Sequence, residues 1–336
     1  MISLADALAM VALVGLIAYA LLGGADFGGG LWDILASGPR TARQRVLIER
    51  SIAPVWEANH VWLILVIVLL FSGFPPAFSA MSIALHIPLT LMLIGIVLRG
   101  AAFTFRQYDP ERKKSEILWG RVFALSSIIA PFFLGVCLAS ITQGSIRVSN
   151  GIPTTGFFWP WIGWFQFSVG LFAVALFAFL AAVYLTLETD DRELQDDFRI
   201  RALISGAVVG FFALVTGLLA SEHAQEFQGK LLSSWWTWPL QIGTGLAAIG
   251  AFASLWHREY RLARFLAATQ VSLILVGWAS SQHPFLIYPD IRIAEAAAPD
   301  STLRLLLIAL SAGVFVLFPS LYWLFRIFKS GKTRSV

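Results

Sequence analysis

Four ionisable side chains stand where a chain this apolar should not place them. Asp26 lies in Gly23-Gly24-Ala25-Asp26-Phe27-Gly28-Gly29-Gly30, and Glu57 and His60 lie between Ser51 and Trp62. Arg99 ends a third apolar run, with Arg106 just beyond it. An ionisable group at bilayer depth costs about 2.5–3.5 kcal/mol even on the lenient insertion scale, so each needs a partner or a purpose. Glu57 and His60 are three residues apart, which puts them on one helical face. Two carboxylates, an imidazole and a guanidinium at one depth are the parts of a proton relay, because an imidazole changes charge near neutral pH. The same parts make a structural pair, Asp26 or Glu57 against Arg99, that locks three helices together. The residues alone leave both readings open.

Either reading requires helices that cross a membrane, and the composition demands them. Of 336 residues, 58% are hydrophobic and 13% charged, against about 45–50% and about 25% in soluble domains. So little charge cannot coat a water-soluble globule. A soluble enzyme, a disordered chain and a nucleic-acid binder are excluded, despite the net charge of +4. Nine stretches, near 7–30, 54–72, 78–100, 119–141, 162–186, 203–221, 238–256, 264–282 and 303–327, approach the 20 or so residues a spanning helix needs. The ten-residue alternation of a membrane barrel is absent, and backbone satisfaction in lipid then leaves a helical bundle. The expected fold is all-α: a polytopic transmembrane bundle of nine spans forming one integral membrane domain over 1–336. The first span has no basic n-region, and its first cation, Arg40, follows it, so it reads as an uncleaved helix.

The cations orient this bundle. With the N-terminus outside and the C-terminus cytoplasmic, 20 of the 24 Lys and Arg fall on the inner side. Only Arg147, Lys230, Arg292 and Arg304 fall outside. Loop-by-loop alternation of this kind is what the positive-inside rule describes. Trp159, Trp161 and Trp164 before the fifth span, and Trp235, Trp236 and Trp238 before the seventh, read as interfacial anchors. The acid-rich run from Glu188 to Arg201 reads as a solvated connector on the inner face. In this orientation Asp26, Glu57, His60 and Arg99 all lie in the inner third of the membrane, on three consecutive spans.

Other features are better explained by packing. The glycines around Asp26 lack the Lys and Ser/Thr of a phosphate loop, so they read as small residues for close helix contact, loosening the helix near an ion path. His60 and His86 are the histidines inside the expected spans; their depths differ by roughly 9 Å at 1.5 Å per residue, too far to share one iron. No metal site is expected. Trp62 reads as a packing or lipid-facing group. Cys137 stands alone in an apolar run, so no internal disulfide can form. A stand-alone ion-coupled secondary transporter is the alternative function, although such carriers show broken helices in corresponding positions of two repeats. Only the first span has a strong glycine interruption.

Several motifs together resemble subunit II of cytochrome bd-type quinol oxidases, especially the shorter, cyanide-insensitive-type members. They are Gly24-Ala25-Asp26-Phe27-Gly28, the Ala53-Pro54…Trp56-Glu57…Asn59…Trp62 core, Leu98-Arg99…Phe103…Arg106, Gly277–Phe285 and Ala296–Leu303. The resemblance implies a two-subunit, electrogenic respiratory enzyme of the bacterial inner membrane that oxidises ubiquinol or menaquinol and reduces dioxygen to water. It places haem b and haem d, or a b-type variant, in a haem-bearing subunit I, and no catalytic residue in this chain. It also implies lipid and quinol as partners, a structural quinone in some members, and room for small accessory subunits. It carries cytoplasmic proton intake onto Asp26, Glu57 and Arg99, with His60 beside them, and the start of oxygen access onto Trp62. Many relatives have Asp where this chain has Glu57. With the resemblance in hand, the relay reading takes precedence over pure pairing.

Overall fold

The computed structural model describes residues 3–52, 56–108, 112–149 and 151–329. The chain opens with α1 (Leu4–Ile34), whose Ser3 cap accepts a hydrogen bond from the Asp6 amide at 3.0 Å. At 1.5 Å per residue its 31 residues run about 46 Å, well beyond the hydrocarbon core of about 30 Å. There follow α2 (Thr41–Ile52), α3 (Trp56–Gly73), α4 (Pro75–Ala84), α5 (His86–Tyr108) and α6 (Arg112–Gln143). A small hairpin, β1 (Val148–Ser149) with β2 (Ile152–Pro153), precedes α7 (Trp164–Leu185), α8 (Arg192–His223), α9 (Gln225–Ser233), α10 (Thr237–Trp256) and α11 (Tyr260–Gln282). A second hairpin, β3 (Phe285–Ile287) with β4 (Ile291–Arg292), leads through α12 (Ile293–Ala296) to α13 (Asp300–Lys329).

Among the described residues, eight helices are long and apolar enough to cross a membrane: α1, α5, α6, α7, α8, α10, α11 and α13. A ninth pass exists if α2 and α3, bent by 52° at their junction, count as one broken span. The chain is therefore a multi-pass helical membrane protein. One end of the bundle collects α2 and the start of α8 and is rich in arginine; the other carries both hairpins with α4, α9 and α12. These are called the basic end and the hairpin end below.

The third span differs from the sequence expectation of 78–100. The helix actually starts at His86, and 75–84 forms the separate short helix α4. Pro75 and Pro76 start α4 because the first amides of a helix need no intrahelical acceptor, and Pro88 fits the first turn of α5 for the same reason. His86 is thus an exposed residue at a helix start, its ring edge-on to Phe157 at 4.9 Å, and does not lie deep in a span. Arg99 moves the opposite way, into the body of α5. The run from Glu188 to Arg201 is also more than a connector, since α8 begins within it at Arg192, capped by Asp191.

The core is a sleeve of small residues and phenylalanines around α7. From Ala175 to Val183 every residue is buried, enclosed chiefly by α1, α6, α8 and α11. The glycine cluster makes this possible. A Cβ on Gly28 would fall inside the van der Waals radius of the Phe177 carbonyl, and one on Gly30 would meet the Ser127 side chain. Small residues let helix backbones approach closely where lipid offers no hydrophobic drive between helices. The cluster packs as its sequence implies, but α1 stays helical through all of it and is not loosened.

Candidate functional site

The close approach of α1 to its neighbours seals a polar cluster inside the bundle. Asp26 is buried on α1. Its carboxylate accepts a short hydrogen bond from Asn59 Nδ2 on α3, and the same amide donates to the Leu22 carbonyl at 3.3 Å. Arg99 reaches in from α5 and is 1% exposed, the largest fully buried side chain among the described residues. Its guanidinium carbon lies 4.8 Å from the Phe27 ring centre and 5.3 Å from that of Phe123, so the cation rests on aromatic faces. Arg99 Nε and one Nη have no hydrogen-bond partner within the described protein, while the charges of Asp26 and Arg99 are close enough to act on each other. Tyr19 and His60 complete the cluster: the imidazole is 6.0 Å from the Tyr19 ring and 5.9 Å from Phe27.

The sequence-predicted residues therefore divide. Asp26, His60 and Arg99 come together on α1, α3 and α5. Glu57 does not join them. It is exposed on the outer face of α3, because three residues of helix rotate it some 60° from His60 and leave it beyond the seam with α1. That outer face continues through Val61, Ile64, Val68 and Phe71, all exposed and apolar, at alternating spacings of four and three. Trp62 is half-buried and packs against the main core. The side chain of Arg106 lies outside the described residues, as do positions 53–55 of the second motif.

Two members of the cluster escaped the sequence reading. Tyr19 and Asn59 do not ionise near neutral pH, and a search for misplaced charges passes over them. The usable signal for Asn59 was its position between Glu57 and His60 at the start of a span, since a buried amide must find partners. His60 on α3 packs among rings and His86 sits exposed at the start of α5, so these two histidines do not form a ligand pair for haem in this chain.

Further polar groups lie toward the basic end. Asp33 is buried below Arg99, and Arg45 Nε on α2 donates to its carbonyl at 3.3 Å and lies 4.0 Å from its carboxylate. Asp33, Glu49, Phe103 and Phe123 line a small void between this pair and the guanidinium's aromatic bed. Outside it, α2 is clamped to α8. Arg40 donates twice to Asp197, at 2.9 and 2.6 Å; Gln44 donates to Asp197 at 2.7 Å and accepts from Arg201 at 2.7 Å. Arg43 reaches Glu193 at 3.0 Å and also pairs with Asp191.

The profile of the cytochrome bd terminal oxidase subunit II family matches residues 4–328. A Bacillus subtilis (strain 168) protein with the provisional name cytochrome bd menaquinol oxidase subunit II is 25% identical over 325 residues, 94% of this chain and 92% of that one. The cytochrome bd-I ubiquinol oxidase subunit 2 of Escherichia coli (strain K12) is 26% identical over 208 residues, 61% of this chain and 53% of the relative. The fold is similar to a chain in the structure of bd oxidase from Geobacillus thermodenitrificans, with a TM-score of 0.76, 22% identity, and coverage of 98% of this chain and 99% of that one. With a profile match over nearly its whole length, the chain belongs to the cytochrome bd terminal oxidase subunit II family.

Proposed function

We propose that this chain is the non-haem subunit II of a cytochrome bd-type quinol:dioxygen oxidoreductase in a bacterial cytoplasmic membrane. The family match over residues 4–328 carries that reading. Its N-terminus lies outside and its C-terminus in the cytoplasm, supported by the concentration of arginine at the basic end. Haem b and haem d, or a b-type variant, reside in the partner subunit I, as does quinol oxidation. This chain stabilises that partner and supplies protons from the cytoplasm.

The placement of Glu57 supports both roles. A carboxylate on an otherwise apolar helix face is expensive against lipid, so the stripe of Glu57, Val61, Ile64, Val68 and Phe71 is better matched to another protein than to acyl chains. Subunit I covers that stripe, and Glu57 hands protons across the boundary. Behind it, Asp26 on α1 and Arg99 on α5 meet Asn59 and His60 of α3 itself. There they hold a fixed charge pair with two unpartnered guanidinium donors, where a proton-carrying water can be oriented. Trp62, two residues beyond His60 on α3, marks the start of oxygen access.

The test is the assembled complex, purified through a tag on this chain. A reduced-minus-oxidised spectrum must show haem brought by a co-purifying subunit; a haem-free preparation overturns the assignment. In the same complex Glu57→Gln should slow oxygen consumption about 100-fold or more, the lower end of the range for one lost acid–base step, with haem content unchanged. Full turnover in that variant removes Glu57 from the path.

A further inference from the structure

The side of α1 that carries Asp26 stays polar toward the basic end. Asp26, Gly30 and Asp33 are spaced i, i+4 and i+7, so they stand over one another on one helix face across about 10 Å. All three are buried. At Gly30 the face is completed from α6, because the Ser127 side chain takes the place that a Cβ would occupy. The Ser127 hydroxyl is buried and donates to the Phe123 carbonyl at 2.6 Å, which leaves its oxygen able to accept. One face of α1 thus presents a carboxylate, a hydroxyl and a second carboxylate at steps of about 6 and 4.5 Å.

The series reaches the surface through α2. Asp33 and Glu49 line the same void of about 10 Å³, whose other walls are Ile48, Ile52, Phe103 and Phe123. That is room for a single water, and two carboxylates supply the polar partners such a water needs. Glu49 is half-buried, so it meets both the void and solvent at the basic end. Phe123 closes the void on the inner side, and its ring also carries the Arg99 guanidinium at 5.3 Å. The void therefore abuts the buried cluster, with Ser127 one helical turn from Phe123 on α6.

We propose that Glu49 collects protons at the cytoplasmic surface and passes them through one water to Asp33, from which the Ser127 hydroxyl carries them to the Asp26 cluster. This rests on the proposed cytoplasmic intake and gives that intake an entrance. None of Gly30, Asp33, Glu49 and Ser127 belongs to the motifs that carry the family resemblance. Each step moves one proton and no electron. Glu49 takes a proton from solvent and gives it to the water as Asp33 accepts one, a transfer within the reach of acid–base partners joined by a single water. Ser127 accepts a proton on its oxygen as it gives up its own.

The test is oxygen consumption by the intact complex at saturating quinol and oxygen, with Glu57→Gln as the reference for intake itself. Glu49→Gln should slow turnover about tenfold, the equivalent of about 1.4 kcal/mol in the barrier, with haem content and melting temperature unchanged. Glu49→Asp should keep most of the rate. Added acetate should restore Glu49→Gln, because a small carboxylic acid can serve a mouth that solvent reaches. Ser127→Ala should slow turnover without responding to acetate, and it decides the matter if Glu49→Gln does not assemble. Full turnover in Glu49→Gln beside a slowed Glu57→Gln overturns the entrance and leaves the intake reading standing; full turnover in both overturns both. Equal losses in Glu49→Asp and Glu49→Gln, with no response to acetate, make Glu49 a structural prop of α2 and likewise overturn the proposal.

Discussion

At the scale of single residues, Asp26 shows how a buried carboxylate is kept without a nearby lysine. Asn59 gives it a hydrogen bond, and Arg99 supplies the opposite charge from a bed of two phenylalanines. Removing the amide should be costly, because it strips a buried acceptor of its donor. Asn59→Ala is expected to lower the stability of the assembled complex by about 1–3 kcal/mol, read as a lower melting temperature, whereas Asn59→Gln should recover part of it. An unchanged melting temperature in Asn59→Ala would mean that water replaces the amide at no cost. Gly28 is the sharper case, since its missing Cβ is what admits the Phe177 carbonyl. Gly28→Leu should force α1 off α7 and abolish assembly, as judged by recovery of the complex from membranes. Gly210→Leu on α8 is the control, because a Cβ there meets nothing within 4 Å.

At the scale of elements, much was legible and the exceptions have physical causes. Hydropathy and the alternation of cations locate the long helices because both are properties of whole segments. Helix starts are less visible: Pro88 looks like a kink inside an apolar run, yet it belongs to the first turn of α5, and that shift of register moved Arg99 deeper and His86 to the surface. Which side of α3 faces inward was also hidden. Its residues are almost uniformly apolar, so the separation of Glu57 from His60 depends on where α1 sits. The clasp between the hairpins was equally invisible, because it joins residues 143 and 142 positions apart: Asp290 accepts from Arg147 Nε at 2.9 Å and from the Val148 amide at 2.7 Å. Partial burial tends to raise this carboxyl, but Arg147 and the amide outweigh it and hold the group below its ordinary value of 3.8. A depressed carboxyl stabilises the fold above its unfolded pKa and loses that contribution as pH falls through the folded value. Hydrogen-exchange protection of the Val148 amide should therefore be flat from neutrality down to about pH 4 and fall only below it. Asp290→Asn should remove the step; a step that persists assigns it to another group.

At the scale of the whole molecule, the distribution of charge makes a commitment that the helices alone do not. A bundle of this kind could sit in a membrane either way up. With 20 of 24 cations on one side of the expected topology, insertion should leave the basic end in the cytoplasm, and the proton intake proposed above requires that orientation. The chain brings its own tool for a decisive measurement. Its single cysteine, Cys137, is buried on α6 and gives a membrane-impermeant maleimide little to attack. One new thiol can therefore be placed at each end: Ser149→Cys in the exposed β1 strand, or Ser37→Cys in the turn between α1 and α2. Ser149→Cys should label in intact spheroplasts, and Ser37→Cys only after the membrane is opened. The reverse pattern would place the Asp26 cluster nearer the outer side, where it could not draw protons from the cytoplasm, and the cluster would then be left with the structural role of pinning α1, α3 and α5 together.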